Sequence, residues 1–273
     1  MAGYEIKPSK WVSFDLNELW RFRELFLFMA WRDIKVKYKQ TLLGFIWVIL
    51  QPLALMIIFS TLWLKAMKVS PVEIPYPLFA YCGLILWGLF SSGISGASES
   101  MITNSNIIKK VYFPRIIIPA SAIIVALFDF MMTVIVLILM IFHYNLNINY
   151  LYLFTLLILS ILITLGASLG IGLIIASATV KYRDFRYVMP FFLQAFFFIS
   201  PIVFPLSLFN SHPLKFVLSL NPLAGAINLV RAALTTNTVD WNMTFYCTIV
   251  TLILLIAGFA FFKRMESQLS DLL

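Results

Sequence analysis

Apolar residues run along this chain in long unbroken stretches, not in strict alternation. A helix needs about 20 apolar residues to cross roughly 30 Å of hydrocarbon. Six stretches meet that length: 42–64, 77–97, 116–142, 151–179, 188–208 and 243–262. A membrane β-barrel would alternate every second residue in short strands. The pattern therefore predicts an all-α integral membrane protein with six transmembrane helices. Segment 209–238 is also largely apolar, but Pro213, Pro222 and Gly225 break it into pieces too short to span. It predicts a re-entrant helical hairpin before the last span, because irregular backbone at membrane depth must be buried in protein. The first 41 residues carry charge throughout and do not read as a signal peptide. Within them Arg21, Glu24, Arg32, Lys35 and Lys39 share one helical stripe, spoiled by Phe28. Leu19, Phe22, Leu25, Phe26, Met29 and Val36 face roughly away, and Arg23, Asp33 and Lys37 break the pattern. This is an imperfect amphipathic helix, suited to lying in the membrane interface. The expected organisation is a cytoplasmic N-terminus with that helix (1–41), a six-span domain (42–262) and a cytoplasmic tail (263–273).

Composition agrees. Of 273 residues, 62 % are hydrophobic and 12 % charged, against about 45–50 % and about 25 % in soluble domains. Disordered chains lack such residues, and two cysteines, Cys82 and Cys247 in apolar runs, make no disulfide scaffold. The net charge is +8. With the N-terminus inside, sixteen of the twenty Lys and Arg fall on the inner segments. The positive-inside rule thus places both termini in the cytoplasm. A basic face against anionic lipid accounts for the charge without nucleic acid.

Chemistry-bearing motifs are few. There is no HExxH, GxSxG, Cys/His cluster or phosphate-binding GxxxxGK[ST] in the sequence. No catalytic residue and no metal site are expected, and any nucleotide hydrolysis must come from another chain. His143 and His212 read as solvated loop ends, and Asn242-Met-Thr is a chance-level sequon. Asp129 is the one acid well inside a span; such a residue faces the protein interior or a wet cavity. A hydrogen-bonded packing role is preferred to a proton relay, since no second intramembrane acid accompanies it. Small residues from Gly166 to Gly172 mark a close helix contact. In the first span Trp47, Gln51, Leu55, Phe59 and Trp63 recur every four residues on one slowly drifting face. Core packing accounts for such a face, and so does stacking on a sugar. The basic residues Arg32, Lys35, Lys37 and Lys39 serve as an anchor or as a lip touching an anionic headgroup. Two short inner loops, 99–115 and 180–186, mix charge with apolar residues and act as hinges or as docking knobs for a partner.

The motifs taken in order resemble the permease subunits of bacterial ABC transporters that export polysaccharides such as O-antigen, teichoic acid and capsule. The resemblance covers nearly the whole chain. It rests on WRDIKVKYKQTLLGFIWVILQPL (31–53), NIIKKVYFPR (106–115), Arg183-Asp184 with Gln194 and FFFISPIVFP (196–205), Asn221-Pro222 with Arg231, and Lys263-Arg264-Met265-Glu266. It implies a homodimer with two separate ATP-binding cassette subunits that hold ATP and Mg, and no cofactor in this chain. It implies a lipid-linked polysaccharide, typically on undecaprenyl pyrophosphate, carried out of the bacterial cytoplasm across the inner membrane. It also makes the first loop a coupling element. Expected coupling residues are Glu99, Asn106, Ile107, Ile108, Lys109, Lys110, Tyr112, Phe113, Arg115, Arg183 and Asp184, with Ile107, Ile108, Val111, Tyr112 and Phe113 facing water. Trp47, Gln51, Phe59, Trp63 and Phe196 are the expected glycan conduit. The O-antigen pattern fits best; teichoic acid, capsule or drug/lipid permeases are the alternatives, and an envelope glycolipid enzyme is the alternative of another class.

Overall fold

The computed structural model describes residues 16–39, 44–67, 74–182, 184–206, 214–235 and 239–272. Among these the secondary structure is entirely helical, as the apolar pattern requires. In chain order the helices are α1 (Leu16–Arg21), α2 (Arg23–Lys39), α3 (Gly44–Met67), α4 (Tyr76–Thr103), α5 (Ser105–Ile108), α6 (Ile117–His143), α7 (Tyr150–Lys181), α8 (Phe185–Ile199), α9 (Leu214–Ser219), α10 (Pro222–Leu234) and α11 (Trp241–Leu272). Five of them, α3, α4, α6, α7 and α11, are long and apolar enough to cross a membrane.

The fifth predicted span, 188–208, takes a different form. Helix α8 has 15 residues, about 22 Å at 1.5 Å per residue, short of the hydrocarbon thickness. It stops where Ser200 adopts extended backbone, because Pro201 disfavours the helical conformation of the residue before it. The chain then turns through 200–206. The last helix runs past the predicted span end at 262, because Met265 is buried among other side chains.

Local chemistry sets other boundaries. The Asn149 side chain accepts from the backbone N–H groups of Leu151 and Tyr152 at 3.0 and 3.2 Å, capping α7. Asn221 caps α10 by accepting from Leu223 N–H at 3.0 Å, with Pro222 at the first helical position. Helix α4 ends at Asn104, whose side-chain amide donates to the Ser100 carbonyl at 2.9 Å.

Helices α4 and α7 form the centre. In hydrocarbon, burial of apolar surface does not drive helix association; close packing of small residues does. A Cβ on Gly170 would lie 2.5 Å from the Leu254 carbonyl oxygen, and Gly258 packs in turn on the Gly170 backbone, so α7 and α11 touch main chain to main chain. A Cβ on Gly172 would stand 2.8 Å from that of Ala97 on α4. Buried hydroxyls of Thr164, Ser168 and Ser177 donate to carbonyls one turn back, leaving no donor bare in the contact.

The apolar interior has two parts. The larger surrounds α4, α6, α7 and α10. The smaller gathers Met29, Met101, Ile108, Phe113, Ile117, Leu173, Val180, Phe262 and Met265 at the end carrying the α4–α6 connection. It binds α2, that connection and the end of α11 into one unit. At the opposite end α9 and α10 are the two short helices of the expected hairpin. Arg231 of α10 is buried and donates to Phe79 O at 3.2 and 3.0 Å, Pro201 O at 2.8 Å and Ile202 O at 2.6 Å. Its guanidinium lies 3.3 Å from the Phe79 ring centroid. The carbonyls of Pro201 and Ile202 in the non-helical turn thereby find a donor inside the protein, as buried backbone must.

Candidate functional site

A cavity of about 360 Å³ opens between α2, α3, α4 and α6. Trp47, Gln51, Pro52 and Leu55 of α3 form one wall. Trp87, Ser91, Ser92 and Ser95 of α4 form the second, and Asp129, Phe130 and Thr133 of α6 the third. Lys37, in the last turn of α2, closes one end. Its ammonium lies 2.5 Å from Asp129 Oδ2, with side-chain exposures of 42 % for Lys37 and 12 % for Asp129. The Tyr38 hydroxyl donates to the other oxygen, Oδ1, in a short bond. The Tyr38 ring stacks on Phe45 at 4.2 Å, with 3° between the planes, and so is fixed from α3 as well. Burial, and then the hydrogen bond to Asp129, hold the Tyr38 phenol above its ordinary range, so it stays a donor.

The intramembrane acid is therefore hydrogen-bonded and also faces a cavity. Its partners come from α2, which the sequence alone does not join to it. Trp87, Ser91, Ser95 and Tyr38 escaped notice too. The signal available was the four-residue spacing of Trp87, Ser91 and Ser95, a polar stripe in an otherwise apolar span.

Of the expected conduit residues, Trp47 and Gln51 line this cavity. Phe59 lies farther along α3, 6.0 Å from Phe197. Phe196 stacks on Phe90 and Phe192 at 5.3 and 5.9 Å, and Trp87 meets Phe197 edge-on at 5.3 Å. These rings form an aromatic wall running from the cavity to α8. The Trp63 side chain lies outside the described ones.

The expected headgroup-contact residues part ways. Only Lys37 reaches the cavity wall. Arg32 donates to Asp33 at 2.7 Å and to Asn104 Oδ1 at 2.6 Å, which pins α2 to the end of α4. Lys35 is exposed and sits over the Trp31 ring at 5.2 Å; Lys39 is exposed.

The first inner loop differs from its expected form. Ile108 and Phe113 are buried in the smaller apolar cluster and Ile107 packs against it, because α2 and the end of α11 cover them. Tyr112 and Val111 remain outside, Tyr112 at 84 % exposure. Arg115 is no free rim charge: its backbone N–H donates to Glu266 Oε1 at 3.3 Å and its guanidinium to the Glu266 carbonyl. Glu99 pairs with Arg186 at 3.4 Å, joining the two connections. Asn106, Lys109, Lys110 and Asp184 are exposed, and Arg183 lies outside the described residues. Asn106, Lys109, Lys110, Val111, Tyr112 and Asp184 are thus open to a partner on this face, as are Tyr182, Phe185 and Tyr187. No cluster of three or more metal-ligating side chains occurs among the described residues.

The family model for ABC-2 type transporters matches residues 24–235 of this chain. An O-antigen export system permease protein RfbA of Klebsiella pneumoniae is 28 % identical over 253 residues, covering 92 % of this chain and 95 % of its own. An RfbA of Myxococcus xanthus is 25 % identical over 219 residues, covering 80 % and 82 %. A polysialic acid transport protein KpsM of Escherichia coli is 28 % identical over 251 residues, covering 87 % and 92 %. The chain belongs to the ABC-2 type transporter family.

Proposed function

We propose that this ABC-2 chain is the membrane permease of a polysaccharide exporter. It moves a lipid-linked glycan, in the first place O-antigen on undecaprenyl pyrophosphate, from the cytoplasmic side of the bacterial inner membrane to the outside. The chain acts as a homodimer, with both termini in the cytoplasm. ATP and Mg bind to two partner cassette subunits, whose hydrolysis drives transport. The observation that carries this reading is the cavity lining: each of two walls pairs an indole with polar groups, Trp47 with the Gln51 amide on α3 and Trp87 with three serine hydroxyls on α4. Flat aromatic faces stack on sugar rings at low entropy cost, and hydroxyls exchange hydrogen bonds with successive sugars. A saccharide sliding past needs both and needs no tight fixed contact. The exposed side chains around Tyr112, on the same face as the paired Glu99 and Arg186, suit the docking of the cassette subunit.

The test is a deletion strain. Loss of the chain should leave surface glycan absent and lipid-linked glycan accumulated inside, with complementation restoring export. Unchanged surface glycan in the deletion overturns the reading. The class of glycan that accumulates separates O-antigen from capsule, the substrate class that the name of the KpsM relative suggests.

A further inference from the structure

We propose that Asp129 is an internal competitor for the substrate's anionic group: it holds Lys37 until a phosphate-bearing headgroup takes the lysine at the cavity mouth, and it keeps that headgroup from passing deeper. This rests on the transport reading above and names the ligand chemistry at one position of that site, a phosphate or diphosphate ester.

Three features carry it. First, the two residues differ in accessibility: Lys37 is 42 % exposed and on a helix end, whereas Asp129 is 12 % exposed in the middle of α6. The lysine can swing outward; the carboxylate cannot follow. Second, Asp129 is provided for in the lysine's absence. Tyr38 donates to Oδ1, leaving only Oδ2 to be met by water in the cavity. Tyr38 is itself anchored by stacking on Phe45, so it remains when Lys37 leaves. A buried ion pair that loses one partner is otherwise strongly destabilised; here the exchange is tolerable. Third, apart from Lys37 and Asp129 the cavity lining is uncharged: Gly93 and Gly96 of α4 pack level with Ala126 and Ala122 of α6, which puts Ser91 and Ser95 on the near side of Asp129 and Trp87 and Thr133 beyond it. A carboxylate at its edge repels a phosphate at close range in a low-dielectric site, whereas neutral sugar hydroxyls are accepted. The pair thus sorts one molecule into a charged head that stops at Lys37 and sugars that continue.

The arithmetic is that of a site whose competent form is partly populated. If Lys37 is free of Asp129 about a tenth of the time, the anion binds about tenfold more weakly than to a free lysine. Asp129→Asn keeps the shape and the Tyr38 bond but removes both the competition and the repulsion.

The experiment measures binding of farnesyl diphosphate to the purified full chain in lipid nanodiscs, with inorganic pyrophosphate as the second arm. Asp129→Asn should bind farnesyl diphosphate about tenfold more tightly than wild type. Lys37→Gln should bind it at least tenfold more weakly, and in the double variant most of the gain from Asp129→Asn should vanish, since the competition acts through that lysine and only the relieved repulsion remains. Pyrophosphate showing the same order identifies a free-anion site; farnesyl diphosphate alone showing it identifies a lipid headgroup site, and both support the exchange. Unchanged or weaker binding by Asp129→Asn overturns it and leaves the pair as a packing feature. If Asp129→Asn does not fold, wild type decides: saturating farnesyl diphosphate should protect Lys37 from amine acylation, and no protection overturns the proposal. Export in the deletion strain is scored separately, so failure of the transport reading is distinguishable from failure of the exchange.

Discussion

Arg231 and Lys37 are held in opposite ways. Arg231 is buried and donates to three neutral carbonyl groups of two segments, Phe79 on α4 and Pro201–Ile202 in the turn after α8. Lys37 meets the Asp129 carboxylate at the edge of a cavity, half in the open. The planar five-donor guanidinium suits the first task, since it can satisfy several fixed acceptors at once. The compact ammonium on a flexible stem suits the second, since it can leave one acceptor for another. A cation buried among fixed neutral acceptors is a fastening; a half-exposed cation on a carboxylate beside a cavity is a contact that can be exchanged. That distinction separates structure from function in a chain where charge inside the membrane is scarce.

The comparison can be broken most forcefully at Arg231. Arg231→Met should strand the carbonyls of 79, 201 and 202 and cost about 3–5 kcal/mol, read as loss of folded protein on detergent extraction and a lowered Tm. Arg231→Lys should recover only part, for lack of the fork. Next in size is Ile108→Asp, which buries a charge in the smaller apolar cluster and should cost about 3 kcal/mol, again visible in Tm. At Lys37 the contrast should reverse. Lys37→Gln should change stability by less than about 1 kcal/mol yet lower export at least tenfold, read as surface glycan per folded protein. Tyr112→Ala should leave Tm within about 0.5 kcal/mol of wild type while hydrolysis by the assembled complex proceeds with little export. Smallest is Phe59→Ala, one ring of a wall of several, with export reduced by less than tenfold.

Much of this fold was legible in the sequence, because a spanning helix announces itself by twenty apolar residues in a row. The small-residue run around Gly170 predicted the close helix contact that Gly258 completes. The shortened α8 was harder to read. Hydropathy over 188–208 is continuous, and only Ser200-Pro201 marks the stop. The site was less legible than the fold. Lys37 and Asp129 are 92 positions apart, and the helix stripe assigned to α2 treated Lys37 as a break in the pattern. It is a break because its ammonium reaches across to the Asp129 carboxylate at the cavity edge. The loop was misread for a related reason. Ile108 and Phe113 are apolar in a water-facing connection, and sequence alone does not show that α2 and the end of α11 cover them.

The central claim is that glycan passes along the cavity between α3, α4 and α6. Its most direct test is a photo-cross-linking aromatic residue placed singly at position 47, 87, 57 or 139 in cells exporting polysaccharide. Ile57 and Leu139 are exposed on the outer faces of α3 and α6 and serve as controls. Adducts carrying glycan at 47 and 87, and none at 57 and 139, are the predicted result. Glycan captured at 57 or 139 with positions 47 and 87 silent would contradict the account.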